Sequence, residues 1–414
     1  MIKRSENKLL TIICVILPLI RYRVPGISAL LFSDVAILFS FLYVLLNQIY
    51  SKTRIVICKP CIFLLLFWVY LLIITLCNSI MSYANLGQGL SLLLRQTLQL
   101  FYICFLIPYH FDKDYGFKVF ILISMAISIL VIIQFVLFVS IGLKTSFILP
   151  FLQADGGYNN SDFIAALNYR PAGIFFEPSD YAYYVLFALL ISLFWRSDGG
   201  KIRFFPIVII SLGMVFSQST TAIICMFICY GFFVWNLLKT TKIKIGYMLV
   251  VLVLLSGVIG LSKTTIFKSV VTKISSINTG SAAVRVLRGF VAYGKCGDVA
   301  KIFGVGLGNY SDYLSTNGII TQFDYIQEIG ITNSISQYLV ETGAVGTLLI
   351  LSFYINLMVH TRELHRYITF LLLFLGFFTG VLTNVNVCLF LALSFLGYDA
   401  VVADRQNEDI NSYR

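Results

Sequence analysis

The chain has 414 residues, of which 59% are hydrophobic and only 12% charged, and its mean hydropathy is +0.90. A soluble domain is about half apolar and about a quarter charged, so a water-soluble fold is excluded and bilayer lipid is the better solvent for this chain. The net charge of +11 has no soluble basic face to display, which removes nucleic acid as a partner; in a membrane protein, Lys and Arg set orientation first.

Apolar runs predict helices over 9–20, 27–48, 60–80, 89–109, 118–142, 178–195, 204–217, 220–238, 245–262, 333–358, 367–382 and 385–402. A crossing needs about 20 residues, with about 17 as a practical minimum, so the first, seventh and eleventh are short. The run from Phe204 to Leu238 is too long for one crossing, and SQSTT at 217–221 supplies a turn. The apolar run after Lys8 leads to RYRVPG and not to a small-residue cleavage site, so no signal peptide is expected.

Orientation follows from the basic residues. One side of the bundle collects Lys3, Arg4, Lys8, Lys52, Arg54, Lys59, Lys113, Lys118, Arg196, Lys201, Arg203, Lys239, Lys242, Lys244, Arg362, Arg366, Arg405 and Arg414. The short loops of the other side hold Arg21 and Arg23 in one, and none around 80–88, 217–221 and 383–386. That asymmetry puts both termini in the cytoplasm. The expected architecture is an all-α polytopic membrane protein: one transmembrane domain over 1–414, about 12 spans, and two large outer loops at 143–177 and 263–332. The second loop contains the amphipathic stretch AAVRVLRGFVAYGKCGDVAKIF, expected to form one or two helices on the membrane surface.

Cys58 and Cys61 form a CxxC with no second pair and no nearby His, and Cys296 stands alone in a large outer loop. Neither a metal site nor an intrachain disulfide is expected. His110, His360 and His365 all fall on the cytoplasmic side.

Several residues carry candidate chemistry. Glu177 precedes Pro178, which opens an apolar run; Pro suits a first helical turn and pushes the preceding residue to an extended conformation. Glu177 is thus expected at the mouth of a helix, where the dipole favours the carboxylate a general base needs. Arg170, seven residues upstream, offers a fork for a diphosphate; the plainer alternative is that the two pair and cap the helix. Arg285 and Arg288 share a helix face and suit either a diphosphate headgroup or simple snorkelling to lipid phosphate. GVGLGNY at 304–310 gives backbone freedom and close approach but lacks the strand–helix surroundings of a dinucleotide site. Asn333, Gln337 and Glu341 form a polar stripe at i, i+4, i+8, and Gly343 and Gly346 permit close helix packing. Asp34 and Arg95 are intramembrane charges whose mutual pairing would offset much of their insertion cost.

Three segments together resemble the O-antigen polymerases of Wzy-dependent polysaccharide synthesis and their relatives, the O-antigen ligases: RPAGIFFEPSDYA, VRVLRGFVAYGKCGDVAKIFGVGLGNY and TNSISQYLVETGAVG. Ligases typically carry a histidine where Thr332 stands, which favours the polymerases. The resemblance implies a GT-C-like, metal-independent glycosyltransferase without cofactor in the bacterial inner membrane. It would move a growing glycan from undecaprenyl diphosphate to a lipid-linked repeat unit at the periplasmic face, in lipopolysaccharide biosynthesis. Its partners would be undecaprenyl-diphosphate-linked oligosaccharide and membrane lipid, with room for a chain-length regulator protein. Arg170, Arg285 and Arg288 would bind the diphosphate, with Glu177 as base and Asn333, Gln337, Glu341, Asp34 and Arg95 lining the pocket. A transporter or flippase of the same lipid-linked units is the main alternative, and a ligase the other. The loop of about 70 residues, with no internal repeat, suits an enzyme better.

Overall fold

Helices dominate the computed structural model. It describes residues 7–51, 59–81, 83–149, 152–153, 169–195, 204–239, 281–324, 333–361 and 363–398. The expected span at 245–262, the start of the second loop at 263–280, most of the first loop, Cys58, Thr332 and both termini lie outside the described residues.

The elements run α1 (Lys8–Ile16), β1 (Arg23–Val24), β2 (Ile27–Leu31), α2 (Phe32–Ser51), α3 (Lys59–Asn78), α4 (Leu86–Phe101), α5 (Lys113–Ile141), α6 (Pro178–Phe194), α7 (Phe204–Phe216) and α8 (Thr220–Lys239). They continue with α9 (Ser281–Lys295), α10 (Asp298–Phe303), α11 (Tyr310–Thr316), α12 (Ser334–Val359), α13 (Glu363–Gly376) and α14 (Asn386–Tyr398). Among the described residues, five segments are long and apolar enough to cross a bilayer: Pro60–Asn78, Leu86–Leu106, Lys113–Ile141, Thr220–Lys239 and Ser334–Val359. Shorter apolar helices accompany them at Lys8–Leu19, Phe32–Leu46, Pro178–Phe194, Phe204–Phe216 and Asn386–Tyr398.

One expected helix starts late. Residues 27–31 form a strand, and α2 begins only at Phe32. Gly26 sits at φ 84 after Pro25, a turn that delivers the chain extended; Asp34 then accepts the Leu31 N–H at 3.1 Å in the first turn of α2. The turn expected at 217–221 is present: Gln218 takes φ 53 and Ser219 accepts the Ala222 N–H at 3.3 Å to start α8. Two helices, α9 and α10, occupy the amphipathic stretch of the second loop.

The chain divides into two units. One comprises residues 1–20, 26–113 and 277–414, the other residues 21–25 and 114–276. In the first, α3 packs along α12 and exposes Ile62, Leu66, Val69, Ile73 and Leu76 at alternating steps of four and three. That spacing draws one apolar stripe down the helix, a surface suited to lipid. In the second, α6 is wrapped by α7 and α8. All of its residues from Tyr181 to Leu193 are buried, as an all-round apolar helix requires. Gly213 of α7 gives the Tyr181 hydroxyl room, and that hydroxyl shares a 2.8 Å hydrogen bond with Ser128 of α5.

Asp34 and Arg95 do form an ion pair, Nε to Oδ2 at 3.3 Å, with Asp34 buried. Removing one partner strands the other charge among apolar helices. Asp34→Asn is therefore expected to lower stability by about 3 kcal/mol, whereas replacing both residues by leucine costs far less. Thermal unfolding of the detergent-solubilised protein checks both.

Candidate functional site

Within the first unit, the described part of the second loop, residues 281–324, folds onto the N-terminal half of α12. The anchor is backbone. Helix α12 breaks at Gly343, whose φ of 66 and ψ of −172 are open to glycine alone. The loop after α10 docks against that break. Val305 N–H donates to the Val340 carbonyl at 3.1 Å, and Gly306 N–H to the Glu341 carbonyl at 2.9 Å. A Cβ on Gly343 would overlap the Ile302 carbonyl and the Gly304 nitrogen, and one on Gly304 would overlap the Glu341 carbonyl. Gly304, Gly306 and Gly308 hold φ of 83, 89 and 77. The glycine cluster thus serves close backbone approach, as its composition suggested. Tyr70 of α3 clasps both sides, its hydroxyl donating to the carbonyls of Phe303 (2.6 Å) and Thr342 (3.0 Å). Asn309 completes the loop: Nδ2 donates to the Val305 carbonyl at 3.0 Å, and Oδ1 accepts the Asn85 N–H at 3.1 Å.

The polar stripe of α12 lies beneath this loop. Asn333 caps the helix, accepting the Ser336 N–H at 2.8 Å, while its Nδ2 donates to the carbonyls of Arg285 and Val286, each at 3.0 Å. It therefore fixes α9 on the start of α12. Gln337 Nε2 donates to Glu341 Oε1 at 3.1 Å, and the Gly308 N–H also donates to that carboxylate. Glu341 is only 2% exposed.

Helix α9 lays its two arginines differently. Arg285 is half-buried, whereas Arg288 is fully buried with its guanidinium ion-paired to Asp324. Asp324 also accepts the Thr321 N–H, and Phe323 packs on Val284, Leu287 and Val291 of α9. Ala292 and Cys296 join Val305, Tyr310, Tyr313, Leu314 and Val340 in a small core. The buried Tyr310 hydroxyl has no hydrogen-bond partner among the described residues. Burial holds its phenol well above the ordinary value; Arg288 pulls it down, while Asp324, Cys296 and Glu341 push it up. Burial also pushes the Cys296 thiol to about 11, with Lys301 opposing, so Cys296 is a packing thiol and not a nucleophile.

The second unit holds Arg170 and Glu177. Glu177 is extended at φ −127, ψ 145 just before Pro178, as expected for the residue ahead of a helix-opening proline. It is exposed, and its Oε2 accepts the Ser179 hydroxyl at 2.8 Å. Arg170 is half-buried. The segment between them is pinned by Gln134 of α5, whose Oε1 accepts the N–H groups of Ala172 (3.2 Å) and Gly173 (2.8 Å). Arg21 pairs with Asp180 at 3.7 Å in the first turn of α6.

The structure therefore gathers Arg285, Arg288, Asn333, Gln337 and Glu341 in one unit and joins Asp34 to Arg95 in a pair of their own. Sequence inspection missed Tyr310, Asp324 and Gln134. Gln134 had a signal, an amide inside an apolar run; Asp324 had none, because its partner is 36 residues away. No protein-family model matches the chain, and no curated protein matches it.

Proposed function

We propose that this membrane protein is a glycan polymerase, a GT-C-like enzyme of about 12 spans that acts at the outer face of the bacterial inner membrane. The acceptor sugar hydroxyl attacks the anomeric carbon of the donor glycan. The bond from that carbon to the diphosphate oxygen breaks, and its electron pair leaves with undecaprenyl diphosphate. The hydroxyl proton passes to a carboxylate. Arg288, with Arg285, stabilises the negative charge gathering on the leaving diphosphate.

Glu341 is the base in this proposal. Glu177 is exposed and already engaged by Ser179, whereas Glu341 is buried in the unit that holds Arg288 and Tyr310. The observation carrying the proposal is this company within one unit: a fully buried arginine, a buried carboxylate that accepts the Gly308 N–H, and a buried phenol with no hydrogen-bond partner among the described residues.

Deletion of the gene followed by complementation tests it. The intact protein is expected to restore a ladder of glycan lengths at the cell surface. Glu341→Gln should reduce elongation about a hundredfold, in the range of a lost general base, and leave single repeat units. Full-length chains in the deletion strain would sink the proposal. A surface lacking repeat units altogether would do so as well, since a flippase defect has that outcome.

A further inference from the structure

The segment Ile320–Asp324 lies along α9 as a strap. Lys295 Nζ donates to the Ile320 carbonyl at 2.6 Å, and Phe323 is buried against Val284, Leu287 and Val291. Thr321 closes the strap on itself: its N–H donates to Asp324, and its hydroxyl accepts the Phe323 N–H at 3.3 Å. What the strap delivers is a carboxylate, placed on the guanidinium of a fully buried arginine. Asp324 keeps 16% of its side chain exposed while Arg288 keeps none, so the carboxylate is the partner that solvent reaches.

An arginine fork binds carboxylate and phosphate oxygens by the same two-pronged geometry. A carboxylate held there therefore occupies the place a phosphate oxygen would take. The second feature is Tyr310. Its hydroxyl is buried and lacks a hydrogen-bond partner among the described residues, and its ring packs in the same small core as Ala292, one helical turn on from Arg288. A buried donor left unmatched is costly, and an anion with more oxygens than a carboxylate would satisfy it.

We propose that Arg288 and Tyr310 form a diphosphate site in which Asp324 is a built-in occupant, and that the diphosphate of a lipid-linked substrate enters by displacing Asp324 from Arg288. The choice of a lipid diphosphate rests on the proposed function; the anion site itself does not. Displacement makes occupancy conditional: monovalent and singly charged anions compete poorly with a tethered carboxylate, whereas a diphosphate brings more charge and more acceptors. Arg288 is then covered in the resting protein and engages only when the correct headgroup arrives.

Purified full-length protein in nanodiscs tests this with two probes, inorganic pyrophosphate and undecaprenyl diphosphate. Asp324→Asn keeps an acceptor for the Thr321 N–H and removes the charge. It is expected to lower the unfolding midpoint, to regain it when a probe is added, and to bind that probe about tenfold tighter than the unaltered protein. Tyr310→Phe loses no hydrogen bond and should unfold at the unaltered midpoint, yet bind about tenfold more weakly. Tighter binding of both probes, or of the lipid alone, supports the proposal. Tighter binding of pyrophosphate alone upholds the anion site but counts against the polymerase. A less stable Asp324→Asn that binds neither probe better overturns the displacement, and makes Asp324 a structural partner of Arg288 only. The polymerase would then still stand or fall on elongation by Arg288 variants.

Discussion

Arg288→Ala is expected to stop chain elongation and to destabilise the protein at once. Arg288 is wholly buried and paired with Asp324, and breaking a buried pair from one side costs about 3 kcal/mol or more. Loss of activity in that variant alone would not separate chemistry from folding. Two companions do. Arg288→Lys keeps the charge but replaces a planar fork with a point charge; it should preserve most of the stability and lose about a hundredfold in elongation, the scale of one misplaced charge-stabilising donor. Arg288→Met with Asp324→Leu removes both charges, which for buried pairs is often neutral or stabilising; it should fold and elongate nothing. Unfolding midpoints in detergent and the surface glycan ladder are the two measurements. Normal ladders from the double variant would remove Arg288 from the chemistry.

Gly343→Ala is the second variant with a large expected effect. At φ 66, ψ −172 the backbone is in a region that costs a non-glycine residue about 1–3 kcal/mol. The new Cβ would also strike the Ile302 carbonyl and the Gly304 nitrogen, both backbone atoms with little freedom to yield. The loop must then lift, and the bonds from Val305 and Gly306 to the α12 carbonyls go with it. A loss of more than about 3 kcal/mol is expected, with elongation falling at least tenfold. Gly318→Ala separates the causes: Gly318 has φ 60 but open space where a Cβ would sit, so it should show only the strain, about 1–2 kcal/mol. Gly294, inside α9 with open space and ordinary φ, should gain about 0.5–1 kcal/mol as alanine. Equal losses at 343 and 318 would mean that the docked loop contributes nothing.

Much of the helical layout was legible in sequence because lipid imposes both a length and a composition. The long runs at 60–80, 118–142, 220–238 and 333–358 each correspond to a helix with bounds shifted by a few residues. Asp34 and Arg95 were legible as a pair because an unpaired charge at depth is so costly. The strand at 27–31 was not: Ile27 to Leu31 is as apolar as a helix, and only the Pro25–Gly26 turn marks the difference. Within the candidate site, local spacing gave the face shared by Arg285 and Arg288 and the polar stripe that holds Gln337 and Glu341; the bond between those two came from the structure. It could not give Asp324 on Arg288, or the loop N–H groups on the α12 carbonyls, since those contacts join distant segments. Gly343 shows the limit well. Its neighbour Gly346 does pack closely, against Tyr70, but Gly343 itself interrupts the helix, and small-residue spacing reads the same either way.

Helix α6 packs against α7 and α8, and its residues from Tyr181 to Leu193 are buried. These two partners are synthesised after it, so the contacts that bury it cannot form until they exist. Its assembly is therefore a matter of timing: it must be sheltered, or remain loosely placed, until the ribosome has delivered them. Cutting translation short after Phe194 should leave a segment prone to degradation, and the same segment should become protease-resistant once Lys239 has been added.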